Sequence, residues 1–422
     1  MFFDKKNILN KLNNQSIVVG YDLGDEFSQI SIAYLNGEEP VTLSTIAGGE
    51  QFNIPTALCK RKEVNQWFFG REALRNAEEE EGILVNHLIQ KAIQGTPVVV
   101  EEAELNPIEL LALFMKKSFS MLGIISTMNQ VAAIMITVDT LNAQMVQLLT
   151  ETVEFMNLKK DAVIFQSHEE SAFYYIMNQP EELRAYQVGI CDFNQSHLKT
   201  YCLETNKKTI PMVSYVEEEN YENVVSQSDE AFLQVATELC KERIISSVYL
   251  IGEKFQGDWY RRTISYLCNG RRIFQGNNLY SKGACYAIRE KVKPSKLTEE
   301  YVFLGKDKLK SNIGMIVDNA GEDIYQSLLD AGENWFDASS ETEFLLDSGN
   351  VVTILITSLH DNQSKRLDFP LSGIPVRPRK TTRIHMDVCM VSEHVMQVHC
   401  KDMGFGDIFK ATDLEWTESY EI

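Results

Sequence analysis

Ile17-Val18-Val19-Gly20-Tyr21-Asp22-Leu23-Gly24 is an apolar, β-branched run that ends on an aspartate and a turn, and Val188-Gly189-Ile190-Cys191-Asp192-Phe193-Asn194 echoes it. Each reads as a buried strand, followed by a turn and a second strand-like stretch. After the first run, Ile30, Ile32 and Tyr34 alternate with smaller residues, and Asn36-Gly37 is a hairpin signal. The echo predicts an internal duplication in which each half opens with an Asp-bearing hairpin.

Working outward, Asn106-Pro107 with Glu109 supplies a cap, a proline in the first turn and an early carboxylate. Ile108, Leu111, Met115 and Leu122 then share one helical face. Residues 131–138 read as a strand. A helix follows from Asn142, with Met145, Leu149, Val153 and Met156 on one face. Residues 163–165 are strand again, 171–177 helix, 231–243 helix, and 247–251 a strand running into Gly252. Alternation of this kind predicts a mixed α/β domain. Around residues 291–300 the chain turns charged, contains Pro294 and loses apolar content, which places a domain boundary there. Beyond it, short strands at 351–356, 383–388 and 395–400 between turn residues predict a β-sandwich.

The net charge of −20 repels nucleic-acid phosphates and anionic headgroups, so nucleic acid and membrane are excluded as partners. The acidic runs at 78–81 and 217–219 read as solvated faces or loops rather than docking sites for basic partners. The eight cysteines include no Cys-x-x-Cys pair. Cys59, Cys191, Cys202, Cys240, Cys285 and Cys389 sit among apolar or strand-like neighbours, as buried free thiols of a reducing compartment do. Residues 1–10 contain no apolar leader core, and no run of about 18 apolar residues occurs. A cytoplasmic protein is expected.

In this order the motifs resemble the Hsp70 chaperones over nearly the whole chain. Val18 to Gly24 looks like that family's first phosphate hairpin. Phe52-Asn53-Ile54-Pro55-Thr56 and Phe69-Gly70-Arg71-Glu72-Ala73 are similar to its Pro-Ser and Val-Gly-x-x-Ala stretches. Val248-Tyr249-Leu250-Ile251-Gly252 and Lys282-Gly283-Ala284 resemble its adenosine-site strand and closing Gly-Ala-Ala. The most specific match is late: Leu371-Ser372-Gly373-Ile374-Pro375, Arg377-Pro378-Arg379 and Ile384-His385-Met386-Asp387-Val388. It is similar to the Leu-x-Gly-Ile-Pro-Pro run of the peptide-binding β-domain. The resemblance implies an actin-like, ribonuclease H-like α/β ATPase domain of two lobes over residues 1–296, its second half beginning at 187. An all-β sandwich over residues 301–422, without the helical lid, would follow. It further implies nucleotide contacts at Asp22, Leu23, Gly24, Asp192 and Gly252, with Asp22 and Asp192 as Mg²⁺ ligands if the ion is bound.

The departures bear on chemistry. Such an ATPase needs bare backbone close to the phosphates, a carboxylate pair for Mg²⁺ and a lysine against the developing charge. The small residues after Gly24 are replaced by Asp25 and Glu26, and the second hairpin's glycines by Asn194-Gln195-Ser196-His197. At an effective dielectric near 20, each carboxylate facing a phosphate costs on the order of several kcal/mol. The lysine position falls on Asn86, the water-positioning glutamate on His168 (or, one residue on, Glu169), and a glycine of the adenosine strand on Glu253. Between residues 203 and 248 there is room for a helix and little else, where the family has its clamp lobe. Asp22 and Asp192 are either retained Mg²⁺ ligands or, the preferred reading, braces of their own turns; His168 is read as structural. No residue is assigned a catalytic role and no cofactor is assigned. The reading is a non-catalytic module for a protein or peptide partner, the alternative being a chaperone-like ATPase or nucleotide sensor that takes ATP or ADP with Mg²⁺.

Overall fold

The β-branched run at the start is strand because almost every side chain of Ile17–Leu23 is buried, a burden that only a central strand carries. In a computed structural model of the protein, residues 16–422 are described, apart from 36, 47, 125–129, 160–161, 195–196, 223–227, 277 and 360–362. The hairpin signal at Asn36 and the substituted pair Gln195-Ser196 therefore lie outside the described residues. The chain divides into one unit of Met1–Thr205 with Ser214–Glu300, and another of Asn206–Val213 with Tyr301–Ile422.

In the first unit Ile17–Leu23 pairs antiparallel with Phe27–Tyr34 on one side and parallel with Val131–Val138 on the other. Val131–Val138 then pairs in parallel with Val163–Ser167. The second sheet repeats this order: Gln187–Asn194 pairs antiparallel with His197–Asn206 and parallel with Ile245–Ile251, which is parallel to Arg272–Gln275. Asp22 and Asp192 thus occupy equivalent places, each near the end of a central strand between a hairpin arm and a parallel neighbour.

The interval 203–248 holds more than the expected helix. Met212–Tyr221 is a strand ahead of the helix Asp229–Cys240. Its acidic run, expected on a solvated face or loop, conceals the period-2 pattern; Glu217 and Glu219 are exposed, and Glu217 also lies 2.7 Å from Arg243. The expected helix over 171–177 begins earlier, at His168, where Ser167 accepts a hydrogen bond from the Glu170 amide at 3.2 Å. The helix from Pro107 ends at Ser118, so Leu122 lies on the 3₁₀ turn Phe119–Ile124 that follows.

The helix Leu279–Val292 is buried along most of its length, among them Gly283, Ala284 and Cys285. It packs against Ile17–Leu23, Phe27–Tyr34, Val131–Val138 and the helix His168–Met177. Small residues set the distance. A Cβ on Gly20 would sit 2.1 Å from the Ser281 carbonyl oxygen, and one on Gly283 would sit 2.0 Å from that of Ser171. Neither backbone has room to yield. Gly283→Ala is expected to destabilise this unit by about 1–3 kcal/mol or more through overpacking, read as a lower midpoint in urea with the slope unchanged.

The second unit consists of two four-stranded antiparallel sheets. One orders Glu322–Leu329, Ser311–Asn319, Val351–Ser358 and Ser364–Pro370; the other orders Ser339–Leu346, Thr382–Ser392, Val395–Gly404 and Glu415–Glu421. Ile313, Ile354 and Phe369 from the first meet Ile384, Met386, Val398 and Cys400 from the second in one core. The run after Leu371 brings Arg377 to a buried ion pair, both guanidinium nitrogens 2.7 Å from the oxygens of Asp402. Asp402 also accepts from the amides of Gly404 and Thr412 and from the Thr412 hydroxyl. Burial disfavours its charge, but the Arg377 bond and these donors outweigh burial and hold its carboxyl well below the usual range. Its stabilisation is present above the unfolded carboxyl pKa and is lost as pH falls through the folded one. Arg377→Ala, which strands that charge, is expected to cost about 3–5 kcal/mol, measurable as loss of a denaturation step at neutral pH.

Candidate functional site

The two Asp-bearing strands end at one cavity of about 490 Å³ in the first unit. Of the residues expected at a nucleotide site, Asp22, Gly24, Asp192 and Gly252 line it. Leu23 does not: strand alternation turns it into the core, where it is 1% exposed. The two glycines also have local reasons to be glycine. A Cβ on Gly24 would meet the Phe27 carbonyl oxygen at 2.5 Å, and Gly252, at φ +101°, would meet that of Phe193 at 2.3 Å.

Neither aspartate braces its own hairpin alone. The Asp22 carboxylate lies 2.8 Å from Nε2 of His168. The His168 ring stacks on Tyr280, with centroids 3.8 Å apart and planes 7° from parallel. Tyr280 donates its hydroxyl to Asp192 Oδ2 at 2.9 Å, and Asn194 donates Nδ2 to Asp192 Oδ1 at 2.6 Å. The path continues: the Glu253 amide donates to Asn194 Oδ1, Asn53 Nδ2 donates to Glu253 Oε1 at 3.0 Å, and Gln29 Nε2 donates to Asn53 Oδ1 at 2.6 Å. Residues from both halves are thus joined around the cavity by a belt of polar contacts.

His168, read as structural, stands on the cavity wall and is the direct partner of Asp22. Glu169, its neighbour in the alternative register, is 7% exposed and is not on the wall. Asn86 is not on the wall either; its carbonyl oxygen accepts from Lys91 Nζ at 2.5 Å, while His87 lines the cavity. Asp25 turns to that same segment. It accepts from the Ile89 and Gln90 amides at 3.1 and 3.2 Å and lies 2.8 Å from His87 Nδ1. Sequence reasoning missed Tyr280, Asn53 and Asp139 as site residues; they approach from elements distant in the chain, and Asn53 stands in the Phe52 to Thr56 stretch with nothing local to mark its role.

Charge dominates the wall. Asp22, Asp25, Glu26, Asp139, Asp192 and Glu253 line the cavity, and among the described residues no lysine or arginine does. Lys199 is close, and is held by Asp139 through two contacts of 2.6 Å. Burial pulls the His168 imidazolium toward neutrality, but Asp22, with Asp139 and Asp192 behind it, more than offsets this and raises its pKa. Burial pushes the Asp192 carboxyl from its ordinary 3.8 up to about 6, against the opposing bond from Tyr280. Glu26 is raised too, by burial first and then by Glu253.

Residues 39–306 match the family described as Family of unknown function (DUF5716) C-terminal. The chain belongs to the DUF5716 family. Residues 308–422 match a Domain of unknown function (DUF8552), and no curated protein matches the chain. In this DUF5716 protein the family match takes in His168, Asp192, Gly252 and Tyr280 and begins after the hairpin that carries Asp22. Among the described residues no helix is long and apolar enough to cross a membrane. All eight cysteines are free; Cys389 is half-buried, and Cys400 is among the six that are buried.

The raised Asp192 gives a signed pH dependence. Its folded form holds a proton that the unfolded chain has released, so stability falls as pH rises from about 3.8 to about 6. Asp192→Asn keeps an acceptor for Tyr280 and removes the disfavoured charge. It also turns an NH₂ toward Asn194 Nδ2, so the expected outcome is a flattened window between pH 4 and 7, as followed by thermal unfolding.

Proposed function

We propose that this protein is a non-catalytic relative of the Hsp70 chaperones, of actin-like ATPase architecture followed by a peptide-domain-like β-sandwich. It acts in the cytoplasm as a protein-interaction or scaffold module with little or no ATP hydrolysis. The repeated order of hairpin, parallel strand and parallel strand around Asp22 and Asp192 supports the architecture. So does the shared core of the two sheets beyond residue 301. The free, mostly buried thiols support the compartment.

One observation carries the loss of chemistry. The cavity where a polyphosphate would sit is walled by six carboxylates and, among the described residues, by no lysine or arginine. Two like charges at about 4 Å repel by about 4 kcal/mol at an effective dielectric of 20, so each ionised carboxylate that is not paired with His87 or His168 opposes a triphosphate. The usual remedy, a magnesium ion on the two aspartates, competes with bonds already made: Asp22 to His168, and Asp192 to Tyr280 and Asn194. Phosphoryl transfer also needs a fixed cation at the terminal phosphate, and Lys199 is engaged by Asp139.

A protein partner is supported by the second unit. Glu322–Leu329 is an edge strand, and it exposes Ile324 and Tyr325, with Ile316 exposed opposite Tyr325. An edge of this kind offers unpaired backbone groups and apolar side chains to an added strand.

The nucleotide-sensing alternative keeps one observation in its favour, since Asp22, Gly24, Asp192 and Gly252 line a single cavity of ligand size. Isothermal titration of the full chain with Mg·ATP and Mg·ADP, followed by a phosphate-release assay, separates the readings. No heat of binding and no phosphate release are expected. Micromolar affinity with turnover would establish the ATPase, and affinity without turnover the sensor; either overturns the proposal.

A further inference from the structure

On the second unit, the sheet containing Ser339–Leu346 and Thr382–Ser392 has one face in the core and one exposed. Ile384, Met386 and Val388 are 0–1% exposed, so strand alternation sends His385 and Asp387 to the opposite face. The register sets Glu341 across from Asp387 and Glu343 across from His385, which brings three carboxylates around one imidazole. We propose that Glu341, His385 and Asp387 form a binding site for a divalent transition-metal ion of the zinc type.

The distances fit a ligand set as well as they fit ion pairs. His385 Nε2 lies 3.5 Å from Glu341 Oε1 and 3.4 Å from Asp387 Oδ2, and one ligand atom from each residue falls within 4.8 Å of the others. Direct hydrogen bonds from the ring would be about 2.7–3.2 Å. Ligands held about 2.0–2.1 Å from one zinc ion at tetrahedral angles stand about 3.3–3.4 Å apart. The nitrogen is therefore spaced from both oxygens as the corners of a coordination tetrahedron are.

The far side of the ring fits the same role. Glu343 Oε1 lies 3.6 Å from His385 Nδ1, too far for a hydrogen bond but on the side from which a carboxylate favours the proton on Nδ1 and leaves the Nε2 lone pair for the ion. Arg383, 3.6 Å from Glu343, holds that carboxylate from beyond. One nitrogen and two oxygens favour zinc, cobalt or nickel over magnesium or calcium, which take oxygen alone. The ligands come from two paired strands rather than from a loop, so the sheet fixes their backbones, while the Glu341 side chain reaches the ion from the solvent side. Three protein ligands leave a fourth position for water or for a group from a partner.

The test is titration of the full chain with Zn²⁺ by calorimetry, paired with absorption spectroscopy of the Co²⁺ form. One ion per chain is expected, with Co²⁺ ligand-field bands and no sulfur-to-metal charge transfer. The second readout excludes binding by the free cysteines. His385→Ala is expected to abolish binding, Asp387→Asn and Glu341→Gln to weaken it strongly, and Glu343→Gln to weaken it about 10-fold through the ring. Circular dichroism checks the fold of each variant; should His385→Ala misfold, Asp387→Asn carries the decision. Absence of binding, binding unchanged in these variants, or a thiolate charge-transfer band would overturn the proposal.

Discussion

The contact path from Asp22 through His168 and Tyr280 to Asp192 is the constraint on which the cleft depends. Each group in it is costly to bury alone. A buried carboxylate without a partner is strongly disfavoured, a buried imidazolium likewise, and a buried phenol needs an acceptor. Joined, they satisfy one another and tie a strand of each sheet to the helices His168–Met177 and Leu279–Val292 that run between them. A cleft assembled in this way is lined by charges engaged with one another, and its negative wall follows from the residues that join its two halves rather than from surface acidity.

The helix Leu279–Val292 makes the arrangement compact enough to work. Gly20 and Gly283 mark where backbones approach to within a Cβ's width, and that approach brings Tyr280 within reach of both His168 and Asp192. Packing and polar chemistry are therefore one device here. A methyl group added at the crossing would move Tyr280 as well as open the core, and the polar belt through Asn194, Glu253 and Asn53 would lose its centre. The second unit uses the opposite solution, one intense buried pair, Arg377 with Asp402, fixing the run after Leu371 against Val395–Gly404.

Much of the local structure was legible in sequence because it rests on periodicity and capping. The β-branched runs before Asp22 and Asp192 are strands, and Asn106 and Asn142 cap the helices that follow them. The strand at Met212–Tyr221 was hidden because its glutamates hold a sheet arm whose charge is met by Arg243. The site was half legible: four of the five residues expected there line the cavity, while the Leu23 side chain is in the core because adjacent strand residues face opposite ways. His168 and Asn53 were visible as residues but not as the partners of Asp22 and Glu253, and Tyr280 was not visible at all. Their roles arise from contacts between distant parts of the chain, 88 positions for Tyr280 to Asp192, 146 for His168 to Asp22 and 200 for Asn53 to Glu253, which no local pattern records.

The central claim is that the cleft is closed to polyphosphate by its own acid–imidazole–phenol path. A crystal structure of the full chain grown with Mg²⁺ and a non-hydrolysable ATP analogue tests it most directly. The account predicts His168 still bonded to Asp22 and stacked on Tyr280, with no triphosphate density between the hairpins. A triphosphate seated there on magnesium, with His168 swung away from Asp22, would contradict it.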